Sequence, residues 1–548
     1  MSANTPRGLT GIETTIERYR SKLDGRKRPY GVCAAGGSSE PKPLFVCVSP
    51  ALSHEDLETK PKEDVLQEII ATAQMAADAG SPCVAVRPSG YGPGSRYMNY
   101  GEVEVFEVIA DVCRKHTVDR DRIYVYGTSM GGAATWYLAS HYPDVFAAAA
   151  PSCGYCDYRL WTMAGGRTFH MYPWEKASWK ARCAAFLVEN LEHTPVNIQH
   201  GERDRTFGGG VAVEHSRQMA RLLKKHGFDY LYDEVPGMGH DGGLTPERVR
   251  WLLTKKKERA PSHVGLVTFD LRHNQSYWVT IEQLIRYGGC RARVDATLDA
   301  ERGALTVRTR NVRTLSLGPI GNAAPLALRI DGRNMGKVDL TAKTAFRRSA
   351  KGGWRQGSFD LSREKRHGVA GGICDLFFEN LLFVVGTGGT EEETYYHRQL
   401  ADWAKGYYSS NNGGVHRGGI PGTVGVDFEI VDDRDLTDRQ RKNNNLLFFG
   451  TYRSNSALAR YEDDLPLKFG KRTVRLCGKR FTGDEAAVFA VFPHPENPER
   501  YVAVNGGVTP DAVMNSAYSH MGLLPDYFAY SGPDNLGWGF WGNKWETQ

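Results

Sequence analysis

The stretch Asp121-Arg122-Ile123-Tyr124-Val125-Tyr126-Gly127-Thr128-Ser129-Met130-Gly131-Gly132 decides the fold. Its apolar run from Arg122 to Tyr126 reads as a short buried strand, and the run from Gly131 to Ala139 reads as a helix. A serine between two glycines at such a junction is a nucleophile elbow. The sharp turn holds the serine in a strained backbone conformation with its Oγ above the sheet edge, and a Cβ on either neighbour would collide with the strand or the helix. In 548 residues with 61 glycines the bare pattern can arise by chance. The reading therefore depends on what surrounds it.

Outward from the elbow, residues 40–261 alternate short apolar strands with amphipathic helices, the pattern of a mostly parallel sheet covered on both faces. Strands are expected at Leu44–Val48, Cys83–Val86, Ile123–Tyr126, Phe146–Ala150, Val196–His200 and Tyr230–Val235. A helix from Glu102 to His116 places Val103, Phe106, Ile109, Ala110 and Cys113 on one face, and a second runs from Val213 to His226.

A serine hydroxyl at neutral pH is a weak nucleophile, so Ser129 needs a histidine base, and that base needs a carboxylate to fix its tautomer. In such a sheet the partners follow in the order serine, acid, histidine, on loops at the carboxyl ends of later strands. The strand ending at His200 runs into Gly201-Glu202-Arg203-Asp204, and the strand ending at Val235 runs into Pro236-Gly237-Met238-Gly239-His240. Asp204 and His240 are the expected partners. Glu202 and Asp233 are rival acids, the first too early in its loop and the second inside a strand. The oxyanion formed at an attacked carbonyl needs backbone N–H donors. Met130 is the expected first donor, and Ala51 the second, because Pro50 in Ser49-Pro50-Ala51 has no N–H.

The composition bounds the rest. A net charge of +6, with 69 basic residues among 63 acidic ones, gives no basic footprint for nucleic acid. No apolar run reaches the eighteen or so residues that span a bilayer. Met1–Pro6 lacks the apolar core of a secretory signal, which leaves a cytoplasmic protein and one whose signal has been removed both open. Oligomeric state has no signature. The ten cysteines form no disulfide framework, and the close pair Cys153 and Cys156 is expected to serve packing or a local disulfide.

The aromatic insertion at 154–185 interrupts the rhythm, and Tyr97, Trp161, Trp174 and Trp179 are candidate substrate-binding residues. Two glycine-rich stretches, 89–94 and 385–390, invite a phosphate reading. Pro93 removes a donor from the first, and Glu391, Glu392 and Glu393 would repel a phosphate from the helix after the second. Residues 1–39 read as an extension, 262–365 as a β-rich, sandwich-like module and 366–548 as a second, smaller α/β domain of unknown role.

The motif 121–132, with His200-Gly201-Glu202-Arg203-Asp204 and Gly239-His240, resembles the α/β-hydrolase superfamily. It resembles most the branch of prolyl oligopeptidase-like catalytic domains, polyhydroxybutyrate depolymerase-like proteins, and feruloyl and acetyl xylan esterases. The resemblance covers residues 40–258 and implies Ser129 as nucleophile, Asp204 as orienting acid and His240 as general base, with no metal or organic cofactor. Peptidases of the prolyl oligopeptidase type usually carry a β-propeller before this domain, and residues 1–39 hold no blade-like repeat. The expected substrate is therefore a small-molecule or oligosaccharide ester, with an acetyl or feruloyl carbohydrate esterase ahead of a serine peptidase. A carbohydrate-binding or scaffold protein with an accessory hydrolase domain is the alternative of another class.

Overall fold

The computed structural model describes residues 11–35, 40–49, 52–91, 97–160, 173–205, 209–321, 324–409, 425–514 and 525–548. The chain divides into two compact units, one of Met1–Ser21, Arg26–Thr168 and Cys183–Arg259, the other of Lys22–Gly25, Phe169–Arg182 and Ala260–Gln548.

The first unit is built on eight strands: β1 (Ile12–Arg20), β2 (Lys27–Ala35), β3 (Lys42–Cys47), β4 (Val84–Arg87), β5 (Val118–Thr128), β6 (Ala148–Ser152), β7 (Val196–Gly201) and β8 (Tyr230–Val235). Their order in the sheet is β1-β2-β4-β3-β5-β6-β7-β8. β1 pairs antiparallel with β2, and β2 with β4. From β4 to β8 every pairing is parallel. Helices up to residue 260 are α1 (His54–Thr59), α2 (Lys62–Asp78), α3 (Tyr100–Lys115), α4 (Met130–His141), α5 (Pro173–Arg182), α6 (Glu214–His226) and α7 (Pro246–Leu253), of which α5 groups with the second unit.

Strand β5 shows why the sheet needs cover on both sides. Tyr124 and Tyr126 point to one face and Ile123 and Val125 to the other, and all four are buried. On the first face Tyr124 and Tyr126 share a core with Phe45, with Leu66 and Ile69 of α2, and with Val249 and Leu252 of α7. This is the α/β-hydrolase fold.

Residues 12–35, read from sequence as part of an extension, are the first two strands of this sheet. They lie at its antiparallel edge, where the burial pattern of β1 is mixed and gives no continuous apolar run. The strand expected at Phe146–Ala150 is displaced to Ala148–Ser152, carrying Pro151 within it.

In the second unit, two five-stranded sheets between His263 and Gln356 form a β-sandwich. Val264, Leu266, Val294 and Ala296 of one sheet share a core with Val279, Ile281, Leu315 and Phe346 of the other. A seven-stranded mixed sheet follows. Glu429–Asp432, Leu381–Val385, Asn445–Phe449 and Asn497–Gly507 run parallel, and Ala486–His494, Tyr527–Ser531 and Asp534–Gly539 complete it antiparallel.

Candidate active site

The elbow is formed where β5 ends and α4 begins. Ser129 has φ 59° and ψ −114°, a left-handed conformation that a side chain rarely adopts. Two close approaches fix the turn. A Cβ on Gly131 would stand 2.1 Å from the Val48 carbonyl oxygen, and one on Gly132 would stand 2.2 Å from that of Ser152. The Ser129 N–H donates to that same Ser152 carbonyl at 2.9 Å, tying the turn to β6.

Ser129 Oγ lies 2.8 Å from His240 Nε2, and His240 Nδ1 lies 2.7 Å from Asp204 Oδ2. The three residues stand after β5, β7 and β8, so neighbouring strand ends bring together positions far apart in sequence. The Arg203 N–H donates to the Met238 carbonyl at 2.8 Å, fastening the acid loop to the histidine loop. Asp204 is buried, while the His240 side chain keeps 29% exposure, as a group that meets both a buried acid and an incoming substrate must. Burial alone would raise the Asp204 carboxyl. Hydrogen bonds from His200 and His240 outweigh it and hold the group well below the usual carboxylate range.

The rival acids point elsewhere. Glu202 is exposed and accepts from the Gly237 N–H at 2.9 Å, and Asp233 is exposed on β8.

The Met130 N–H opens α4, where no intrahelical carbonyl is available to it, beside the serine that precedes it. Ala51 lies outside the described residues. Its loop is braced from both ends: the Tyr97 hydroxyl donates to the Ser49 carbonyl at 3.0 Å, and Ser53 caps α1 with a reciprocal bond to Asp56. This corrects the expectation for Tyr97. The ring is 1% exposed and its hydroxyl also meets the Pro88 carbonyl, so it holds the ends of β3 and β4 together instead of facing substrate. Trp161 lies outside the described residues, of Trp174 only the backbone in α5 is described, and Trp179 is half-buried in the same helix.

Both glycine-rich stretches carry an anion of their own. The Ser89 and Tyr91 N–H groups each donate to the buried carboxylate of Glu104 at 3.2 Å, and His54 Nε2 lies 3.1 Å from it. At the second stretch, Thr390 N–H donates to Glu393 Oε2 at 2.7 Å, and a Cβ on Gly389 would meet that oxygen at 2.2 Å.

Cys153, His200 and Asp204 have potential metal-ligand atoms within 4.8 Å of one another. Those atoms already serve hydrogen bonds: His200 Nε2 lies 3.1 Å from Asp204 Oδ2, and the Cys153 thiol donates to the Asp241 carbonyl at 2.7 Å. Burial pushes that thiol up to about 11, so it stays protonated at neutral pH. Cys153 and Cys156 are both free thiols. Neither His200 nor Cys153 was identified from sequence as part of this cluster. The available signal was a histidine at the end of a strand, four residues before the acid.

Residues 67–257 match the model of the Prolyl oligopeptidase family. An uncharacterized secreted protein of Arthroderma benhamiae is 30% identical over 300 residues, covering 50% of this chain and 31% of that protein. The poly(3-hydroxyalkanoate) depolymerase C of Paucimonas lemoignei is 37% identical over 157 residues, covering 27% of this chain and 37% of that protein. A probable chloroplastic glutamyl endopeptidase of Arabidopsis thaliana is 27% identical over 132 residues, 24% of this chain and 13% of that protein. The chain spans between 13% and 37% of the length of these curated relatives. Among solved structures, a thermostable esterase is similar with a TM-score of 0.35 and 19% identity, over 44% of this chain and 63% of the other.

Proposed function

We propose that this chain, whose residues 67–257 match the prolyl oligopeptidase family, is a serine hydrolase that cleaves carboxylic esters through an acyl-enzyme. The observation that carries the reading is the unbroken chain of hydrogen bonds from Ser129 Oγ through His240 to the buried Asp204. Ser129 Oγ attacks the ester carbonyl while its proton passes to His240 Nε2. The C–O bond to the alcohol then breaks, and His240 returns the proton to the leaving oxygen. Water, deprotonated by the same imidazole, attacks the acyl-enzyme and frees the acid and Ser129. Asp204 stays ionised throughout and holds the imidazole with Nε2 toward the serine. The Met130 N–H stabilises the oxyanion, with a second donor from the loop after β3.

An ester substrate is supported by the likeness to a polyester depolymerase, which has the highest identity of the relatives compared. Within esters, acetyl or feruloyl groups on oligosaccharides are the narrower proposal, resting on the aromatic composition of residues 154–185. The family match and the likeness to an endopeptidase favour the second reading, a serine peptidase.

The test sets 4-nitrophenyl acetate, acetylated and feruloylated oligosaccharides and a chromogenic peptide before the wild type and Ser129→Ala. Ester turnover that falls by roughly 10⁴-fold or more in the variant is expected. Peptide-only turnover would replace the esterase reading with the peptidase. Serine-independent turnover, or none, would remove both and leave the binding or scaffold alternative.

A further inference from the structure

We infer that His200 is a positioning residue that fixes the carboxylate of Asp204 against His240, an inference that rests on the reading of Ser129, His240 and Asp204 just given. His200 is the penultimate residue of β7 and is completely buried. Its Nε2 lies between two acceptors, Asp204 Oδ2 at 3.1 Å and the Val211 carbonyl at 2.9 Å. Neither can give it a proton, so Nε2 carries the hydrogen and donates. Its Nδ1 lies 2.7 Å from Ser216 Oγ on α6, whose hydroxyl is free to rotate and donate to it. The serine thus sets the tautomer that the aspartate requires.

Asp204 Oδ2 thereby receives two imidazole N–H groups, from His200 and His240, while Oδ1 receives the Val211 N–H at 3.0 Å. With three donors on two oxygens, the carboxylate can neither rotate nor slide. The arrangement extends the nucleophile's chain two members further, from Ser129 through His240, Asp204 and His200 to Ser216. Among the described residues, the titratable and charged groups around His200 are Asp204 on the loop after its strand, Cys153 beyond β6, His215 on α6 and Glu234 on β8. Gly210 approaches the same carboxylate so closely that a Cβ there would lie 2.1 Å from Oδ1.

Removing the His200 donor concentrates negative charge on Asp204, which stabilises the His240 imidazolium more strongly. The acid limb of the activity profile should therefore move to higher pH. The test measures the pH profile of kcat and KM for 4-nitrophenyl acetate with the full chain as wild type, His200→Phe, His200→Gln and Ser216→Ala. For His200→Phe we expect kcat to fall roughly ten-fold or more with KM nearly unchanged, by analogy with outer hydrogen-bond partners of functional histidines, and the acid limb to move upward. Gln, whose amide N–H reaches the position of Nε2–H, should recover most of kcat and return the limb. Ser216→Ala should move the limb in the same direction by less. Loss of activity with an unmoved limb in every variant that folds would mark His200 as merely structural and overturn the inference. Should His200→Phe not fold, the Gln and Ser216→Ala profiles decide. A wild type without Ser129-dependent turnover would instead remove the reading on which the inference stands.

Discussion

Each residue of the proposed site is held by close backbone or hydrogen-bond contacts. The Ser129 backbone sits in a left-handed conformation, and Gly131 makes that turn possible by letting the Val48 carbonyl approach where a Cβ would be. Gly131→Ala should therefore displace the elbow by a sizeable fraction of an ångström. Since about 1 Å of misplacement can cost on the order of 100-fold, kcat/KM for 4-nitrophenyl acetate should fall by about that factor, while fluorescence-monitored unfolding still shows a folded protein. Turnover equal to wild type would show that the turn has slack. That Ser129, Asp204 and His240 would lie together was legible in sequence because three reactive residue types followed three strands in a fixed order. Tyr97 was not: an aromatic in a loop does not reveal that its hydroxyl reaches the Ser49 carbonyl 48 positions away. His200 was in view only as part of a motif, since nothing in a linear sequence shows that its ring faces the acid four residues on.

At the scale of elements, the parallel strands β3 to β7 were readable because both of their faces are buried over most of their length, which writes continuous apolar runs, whereas β8, half-exposed at the sheet edge, was readable from its alternation. β1 escaped because an antiparallel edge leaves one face half-exposed and mixes Glu, Thr and Arg into the pattern, and β2, though buried from Arg28 to Cys33, because Pro29 and Gly31 interrupt its apolar run. Helix α6 makes a separate prediction about acid. Its His215 is fully buried, its Nδ1 accepting the Cys156 N–H at 3.3 Å, and burial pushes its pKa down to about 4 from an ordinary value of 6.5. The folded state thus keeps His215 neutral where the unfolded chain would bind a proton. Its contribution is fully present above pH 6.5 and is lost as pH falls toward 4, a loss of up to about 3 kcal/mol. Denaturant unfolding of wild type and His215→Asn from pH 7.5 to 4 tests this. The variant, which keeps an acceptor near the Cys156 amide, should show a flatter decline in that window. Parallel curves would mean that other groups dominate.

For the whole molecule, the fold class was legible as three successive patterns, and the structure has a hydrolase sheet, a sandwich and a mixed sheet in that order. What the patterns could not show is how the second unit is joined within itself. Lys365, 1% exposed, pairs with Asp526 at 2.7 Å across 161 positions, beneath the rings of Tyr287 and Trp545. Asp526 also accepts the Trp541 N–H at 2.7 Å. A lysine and an aspartate so distant in sequence carry no mark of each other, and only the folded chain reveals the joint. The proposed nucleophile, Ser129, lies in the first unit of the 548-residue chain. The most direct test treats the full-length protein with a fluorophosphonate probe and locates the adduct by peptide mass mapping. The label is expected on Ser129, with labelling slowed by His240→Ala. An active protein whose Ser129 stays unmodified while the probe reacts elsewhere would contradict the assignment.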